Sequence, residues 1–169
     1  MRIAALLAAL TLTAGAASAQ VVTHEASLVN NKGQALGSAK LSGSAGGTVI
    51  RLQLKAGSLT PGWHGIHLHA VGDCSDHAGF QASKGHVNHG QKPHGLLHPQ
   101  GPDEGDLPNI FANADGSVNA EVSTRTPMTG ANGIKDGDGS ALVIHASADD
   151  HTTQPIGGAG ARVACGVIK

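Results

Sequence analysis

Thr48-Val49-Ile50-Arg51-Leu52-Gln53-Leu54-Lys55 alternates apolar and polar side chains from Ile50 onward, the pattern of a strand with one buried face. Val118, Ala120 and Val122 repeat it. Asn31-Lys32-Gly33 and Asp115-Gly116 supply turn chemistry between such runs, and no segment after residue 19 sustains a helical period. The expected fold is therefore all-β, a sandwich or a closed barrel. Two stretches interrupt the alternation. Gly72 to Asn109 is rich in glycine, proline, histidine and aspartate, and Asp149 to Ala161 is irregular before the final apolar run Val163-Ala164-Cys165-Gly166-Val167-Ile168. Long irregular segments on a small β scaffold are where binding and catalysis concentrate, so the two loops are expected to build one site.

The start of the chain reads differently. Arg2, an apolar run from Ile3 to Leu12 and Ala17-Ser18-Ala19 form the pattern of a secretory signal peptide over residues 1–19. The apolar run falls short of the ~20 residues that cross a bilayer, so export is expected and a membrane anchor is not. Residues 20–169 suit a single domain. With 11 basic against 12 acidic side chains the chain is too evenly charged to suggest nucleic acid or an anionic membrane surface as partner. It contains no tyrosine, one tryptophan and two phenylalanines, so the core must be aliphatic and aromatic radical or stacking chemistry has little to work with. Cys74 and Cys165 are the only cysteines. In an exported chain they are expected to pair, closing a loop of about ninety residues; a cysteine-containing metal site is the weaker alternative.

Ile66-His67-Leu68-His69 carries the chemistry. On a strand the two aliphatics point one way and the two histidines the other, so one face packs while the other can bind a metal. His145 ends the apolar strand Ala141-Leu142-Val143-Ile144, and His86, His94, Asp103 and Asp106 follow one another in the long loop. Imidazole suits copper and zinc, and carboxylates add charge that favours zinc over copper(I).

With these residues in order, the sequence resembles the copper-zinc superoxide dismutase family, especially its exported bacterial members. The matching stretches are GWHGIHLHAVGDC (62–74), the loop from His86 to Asp106 ending in GDLPN (105–109), ALVIHASADD (141–150) and GAGARVACGVI (158–168). The resemblance implies a Greek-key barrel or sandwich of about eight antiparallel strands carrying two long functional loops. It implies copper bound by His67, His69, His86 and His145, and zinc bound by His86, His94 and Asp106, with His86 bridging the two metals. It also implies that Asp149 links the free nitrogens of His67 and His94, that Cys74 and Cys165 form the intrasubunit disulfide, and that Arg162 stands beside the copper. The implied activity is disproportionation of superoxide to oxygen and hydrogen peroxide, with Arg162 drawing in the anion and His86 handling a proton.

One position departs from the family pattern. A third zinc histidine usually lies nine residues after the position of His94, and here that residue is Asp103. A carboxylate can ligate zinc, so His86, His94, Asp103 and Asp106 form the expected set, with His98 and His89 as the alternatives to Asp103. The other functional class to weigh is an exported copper-binding or copper-storage protein of the same fold with little turnover. Arg162 argues against it, because storage has no evident need of that side chain. His64 is expected to serve structure, and His77, His89, His98 and His151 have no assigned role beyond the surface. The expected compartment is the bacterial periplasm, with both a monomer and a homodimer left open.

Overall fold

A computed structural model describes residues 20–169; the signal peptide expected over 1–19 lies outside the described residues. Nine strands run through them: β1 (Val22–Asn30), β2 (Ala35–Ser44), β3 (Gly47–Leu54), β4 (Gly62–His64), β5 (Ile66–His69), β6 (Ile110–Ala112), β7 (Val118–Thr124), β8 (Ser140–His145) and β9 (Arg162–Ile168). One 3₁₀ turn, Gln81–Ser83, is the sole helical element among the described residues. The all-β expectation holds, with one strand more than the eight anticipated.

Seven strands form a sheet in the order β5-β8-β9-β1-β2-β3-β7, and every pairing is antiparallel. The short strands β4 and β6 pair separately. Only Gly65 separates β4 from β5, while β6 lies beside β7. The small sheet thus joins the two ends of the large one, which curls around a single core. Pairings between strands remote in sequence, β3 with β7 and β5 with β8, give the Greek-key order.

The alternation in 48–55 is realised as expected: Ile50, Leu52 and Leu54 point inward with Leu28, Leu41 and Ala39 while Arg51 and Gln53 stay in solvent. Strands β5 and β8 behave differently, being buried at every position. On one face Ile66, Leu68, Leu142 and Ile144 enter the main core; the opposite face lies under the two long loops. A smaller apolar cluster of Cys74, Phe80, Ala141, Val143 and Cys165 occupies part of that outer face. Cys74 and Cys165 are bonded, fastening the start of the first loop to β9.

The first loop is further pinned along β5. Ala70 N–H donates to Gly85 O at 2.8 Å, Val87 N–H to Leu68 O at 2.9 Å and Leu68 N–H to Gly105 O at 2.9 Å. Both ends of the His86–Asp106 segment therefore hang on the open edge of the strand that carries His67 and His69.

Candidate metal centre

His67 and His69 sit on the outer face of β5, and His145 ends β8 with a register shift between Ile144 and His145 that pairs His145 with Arg162 at the start of β9. Bulges of this kind re-aim side chains beside functional sites. One nitrogen from each of His67, His69 and His145 lies within 4.8 Å of the others. His86 falls in a neighbouring group with His67 and His94, its ring centroid 4.3 Å from that of His67 and 5.2 Å from that of His69. It stands between the strand histidines and the loop. On its far side His86, His94, Asp103 and Asp106 bring one ligand atom each within the same 4.8 Å. Neither His89 nor His98 belongs to any of these groups, whereas Asp103 does.

Each ring is held by its other nitrogen. His69 Nδ1–H donates to Lys84 O at 2.8 Å, His145 Nδ1–H to Gly160 O at 2.9 Å and His67 Nε2–H to Asp149 Oδ2 at 2.7 Å. Such bonds set the tautomer and leave the opposite nitrogen with a free lone pair. Those opposite nitrogens, His67 Nδ1, His69 Nε2, His145 Nε2 and also His86 Nε2, are buried and lack a hydrogen-bond partner. Burial, aided by neighbouring His86 and Arg162, pushes the His69 imidazolium down to about 2, and burial with the nearby histidines lowers His145 to about 4. Both rings are neutral at neutral pH and able to donate a lone pair to a cation.

The loop cluster is more charged. His86 Nδ1 lies 2.9 Å from Asp103 Oδ2 and 3.6 Å from Asp106 Oδ1. His94 Nδ1 lies 2.5 Å from Asp106 Oδ1, an ion-pair separation, and neither buried atom has a hydrogen-bond partner of regular geometry. Burial pulls His94 down, but the carboxylates of Asp106 and Asp149 override it and hold the ring up at about 10. Asp106 is held below the usual carboxylate range; burial opposes this, and the His86 and His94 rings prevail. Leaving this many buried polar atoms unpaired would cost about 1–3 kcal/mol apiece, so their convergence fits a cation that satisfies several at once.

Asp149 spans the two groups: its Oδ2 accepts from His67 and its Oδ1 from His94 Nε2–H at 3.2 Å. Gly157 makes this fit possible. With φ +59° it occupies the left-handed region, and a methyl group there would overlap Asp149 Oδ1. Arg162 reaches the mouth of the site with Nη1 donating to Phe80 O and Ser83 Oγ at 2.7 and 3.2 Å and Nη2 to Lys84 O at 2.8 Å. The mouth is a cavity of about 390 Å³ lined by His69, His86, Lys92, Gln154 and Arg162 among others.

The remaining histidines divide. His64 is buried and its two ring nitrogens face His145 O and Thr60 O at 2.7 and 2.8 Å, the structural part expected of it. His77 and His89 are exposed. His98 and His151 depart from the surface expectation, both being half-buried, and His151 Nδ1 lies 3.6 Å from Asp149 Oδ2. The carbonyls of Lys84 and Gly160 and the cramped Gly157 are parts of the site that residue chemistry alone does not flag, since backbone groups carry no side-chain signature.

The sequence profile of the copper/zinc superoxide dismutase family matches residues 35–168. A superoxide dismutase [Cu-Zn] of Caulobacter vibrioides is 53% identical over 128 residues, 73% of this chain and 72% of the relative. Superoxide dismutase [Cu-Zn] 2 of Aquifex aeolicus is 38% identical over 173 residues, 99% of each. Among solved structures, a superoxide dismutase-like protein from Bacillus subtilis superposes with TM-score 0.80 at 36% identity, covering 86% of this chain and 98% of that one. The Cu/Zn superoxide dismutase from Brucella abortus gives TM-score 0.69 at 29% identity, covering 88% and 100%.

Proposed function

We propose that this chain, which belongs to the copper/zinc superoxide dismutase family, converts two superoxide anions and two protons into oxygen and hydrogen peroxide. The observation that carries the reading is the set of buried, unpartnered nitrogens on His67, His69, His86 and His145 beside the His86, His94, Asp103 and Asp106 cluster. In this reading His67 Nδ1, His69 Nε2, His86 Nε2 and His145 Nε2 would hold copper, and His86 Nδ1, His94 Nδ1, Asp103 and Asp106 would hold zinc. Copper, when bound, supplies a centre that alternates between two oxidation states, and zinc supplies fixed positive charge.

The protein contributes the rest. Arg162, charged at all relevant pH values, draws the anion into the mouth and orients it through the guanidinium N–H groups not taken by Phe80, Ser83 and Lys84. Its fixed seat means no side-chain reordering is needed when the anion arrives. His86 has one nitrogen toward each site, so its Nε2 can take up a proton in one half-reaction and release it to the reduced oxygen species in the other. Asp149, by gripping His67 and His94 together, keeps the two half-sites in register.

The reading extends to export on residues 1–19, residues 20–169 acting as one mature domain, and residence in the bacterial periplasm. Support comes from the Cys74–Cys165 bridge, which persists in oxidising compartments. Among the described residues no helix is long and apolar enough to cross a membrane. The test is superoxide consumption by the purified protein with copper and zinc quantified in the same sample. Fast turnover with about one copper and one zinc per chain is expected; copper bound without turnover would sink the enzymatic reading.

A further inference from the structure

Two side-chain amides flank the contact between His94 and Asp149, and both are used in the same way. Asn109 Oδ1 accepts from the Asp149 N–H at 2.9 Å while its Nδ2 donates to Asp149 O at 2.8 Å. Gln154 Oε1 accepts from the His94 N–H at 3.0 Å while its Nε2 donates to His94 O at 2.7 Å. The spare N–H of each amide is engaged too, that of Asn109 with His151 Nε2 at 3.3 Å and that of Gln154 with Thr152 O at 3.0 Å. Each amide thus uses its oxygen and both of its N–H groups.

An amide that pairs both the N–H and the C=O of one residue does what a strand partner does in a sheet. It fixes the position of that residue and the direction in which its side chain leaves the backbone. The two residues bracketed in this way, Asp149 and His94, are the two that bond to each other at 3.2 Å. Asn109 immediately precedes β6, so the Asp149 end is anchored to the barrel, while Gln154 belongs to the second loop and reaches across to the first. The remaining oxygen of Asp149 holds His67 on β5.

We propose that Asn109 and Gln154 are positioning residues that clasp Asp149 and His94 by their backbones and so fix how His67 and His94 present their free nitrogens to the two metals. The inference rests on the metal sites assigned above. It differs from mere loop tacking in what it requires. Tacking would affect only the stability of the fold, whereas a clasp acts on the metal geometry even when the fold is intact. Gln154 separates the two, because it is exposed and its bonds to the His94 backbone are only partly buried, so water can take the place of the lost amide without a cost to the fold.

The test compares the parent protein with Asn109→Ala, Gln154→Ala and the double variant. Three quantities are read: the rate of zinc release to a coloured chelator, the visible spectrum of cobalt(II) placed in the zinc site, and the thermal midpoint of the metal-free protein. Expected are zinc release about tenfold faster in each single variant, the low end of what outer partners of metal ligands contribute, a changed cobalt spectrum, and a metal-free midpoint for Gln154→Ala equal to the parent's. Should Asn109→Ala fail to fold, Gln154→Ala carries the test alone. Zinc release and cobalt spectrum equal to the parent's in Gln154→Ala would overturn the clasp while leaving the metal sites standing. A parent that binds no cobalt in this cluster would overturn both.

Discussion

His69 and Arg162 are tied to one atom: the carbonyl oxygen of Lys84 accepts from His69 Nδ1–H and from Arg162 Nη2–H, each at 2.8 Å. The ring whose Nε2 is proposed to hold copper and the guanidinium of Arg162 are thereby held at a fixed separation by the backbone of the first loop. Lys84 adopts φ 64° and ψ −150°, a conformation ordinary side chains avoid, at an expected cost of about 1–3 kcal/mol. The strained residue sits where its carbonyl serves two site residues at once.

Replacing Arg162 by Ala removes the charge and leaves in place the four nitrogens proposed to hold copper. Copper content is expected to stay at the parent level while kcat/KM falls roughly tenfold or more and loses part of its dependence on ionic strength. Stopped-flow superoxide decay across a salt series reads both effects. An unchanged rate and salt slope would remove the arginine from the reaction.

Asp103 offers a sharper probe of the zinc cluster. Its Oδ2 faces His86 and its Oδ1 accepts from the Gly105 N–H at 2.9 Å, a bond that helps keep the loop on β5. Asp103→Ala would strip both, leaving a buried N–H unpaired, so a loss of zinc there could come from a loosened loop. Asp103→Asn keeps an oxygen for Gly105 and removes the charge. Zinc affinity is expected to fall by about tenfold or more with copper affinity little changed, and Asp103→His, the residue usual in the family, is expected to recover zinc binding. Equal zinc affinity in Asp103→Asn would show that this carboxylate is not a ligand.

Much of this candidate site could be read in the sequence because its proposed ligands obey strand periodicity. The step of two between His67 and His69 puts them on one face, and the apolar run that ends at His145 delivers a third ring to the same side. The alternation of 48–55 likewise appears as β3. The small sheet of β4 and β6 is not legible in the sequence, because strands of three residues carry too little pattern to distinguish from loop. Lys84, Gln154 and Gly157 were silent for another reason. Two act through a backbone carbonyl or a generic amide and the third through the absence of a side chain, and none of these has a chemical signature until the loops are folded onto each other.

Gly157 is the position where that last kind of contribution can be measured. Gly157→Ala forces a methyl group onto Asp149 Oδ1 in a left-handed backbone conformation. The strain is relieved by moving the carboxylate, so the variant is expected to lose zinc before copper and to be destabilised by about 1–3 kcal/mol. Metal analysis after dialysis, with a denaturant titration beside it, checks both. Parent-like zinc retention would mean that Asp149 can shift without disturbing His94.

The disulfide bears on the same geometry. Cys74 and Cys165 close a loop with a sequence separation of 91, for which chain entropy gives about 4–5 kcal/mol. Phe80, Ser83 and Lys84, which seat Arg162, lie in the segment that this bond fastens to β9. Cys74→Ala combined with Cys165→Ala is therefore expected to lower the thermal midpoint by roughly 10 °C. It should also reduce turnover beyond any loss of copper. Turnover per bound copper equal to the parent's would show that Arg162 keeps its seat without the bridge.

Removing the metals separates the contributions of strand and loop. His67, His69 and His145 stand on β5 and β8, whose pairing does not depend on any ion. His86, His94, Asp103 and Asp106 come from irregular chain between β5 and β6, and they crowd two carboxylates against two rings. A ligand that binds only the folded state stabilises it by about 2.7 kcal/mol at a hundredfold excess over its dissociation constant. Zinc, holding loop residues that otherwise must be ordered at an entropic cost, should act on more of the chain than copper does. Chelated protein is thus expected to melt well below the loaded form, and zinc alone is expected to restore more of the midpoint than copper alone. Limited proteolysis should agree, with zinc protecting the 86–106 segment and copper protecting it little. Recovery of both midpoint and protection by copper alone would show that the order of this loop comes from the strand side, through His86.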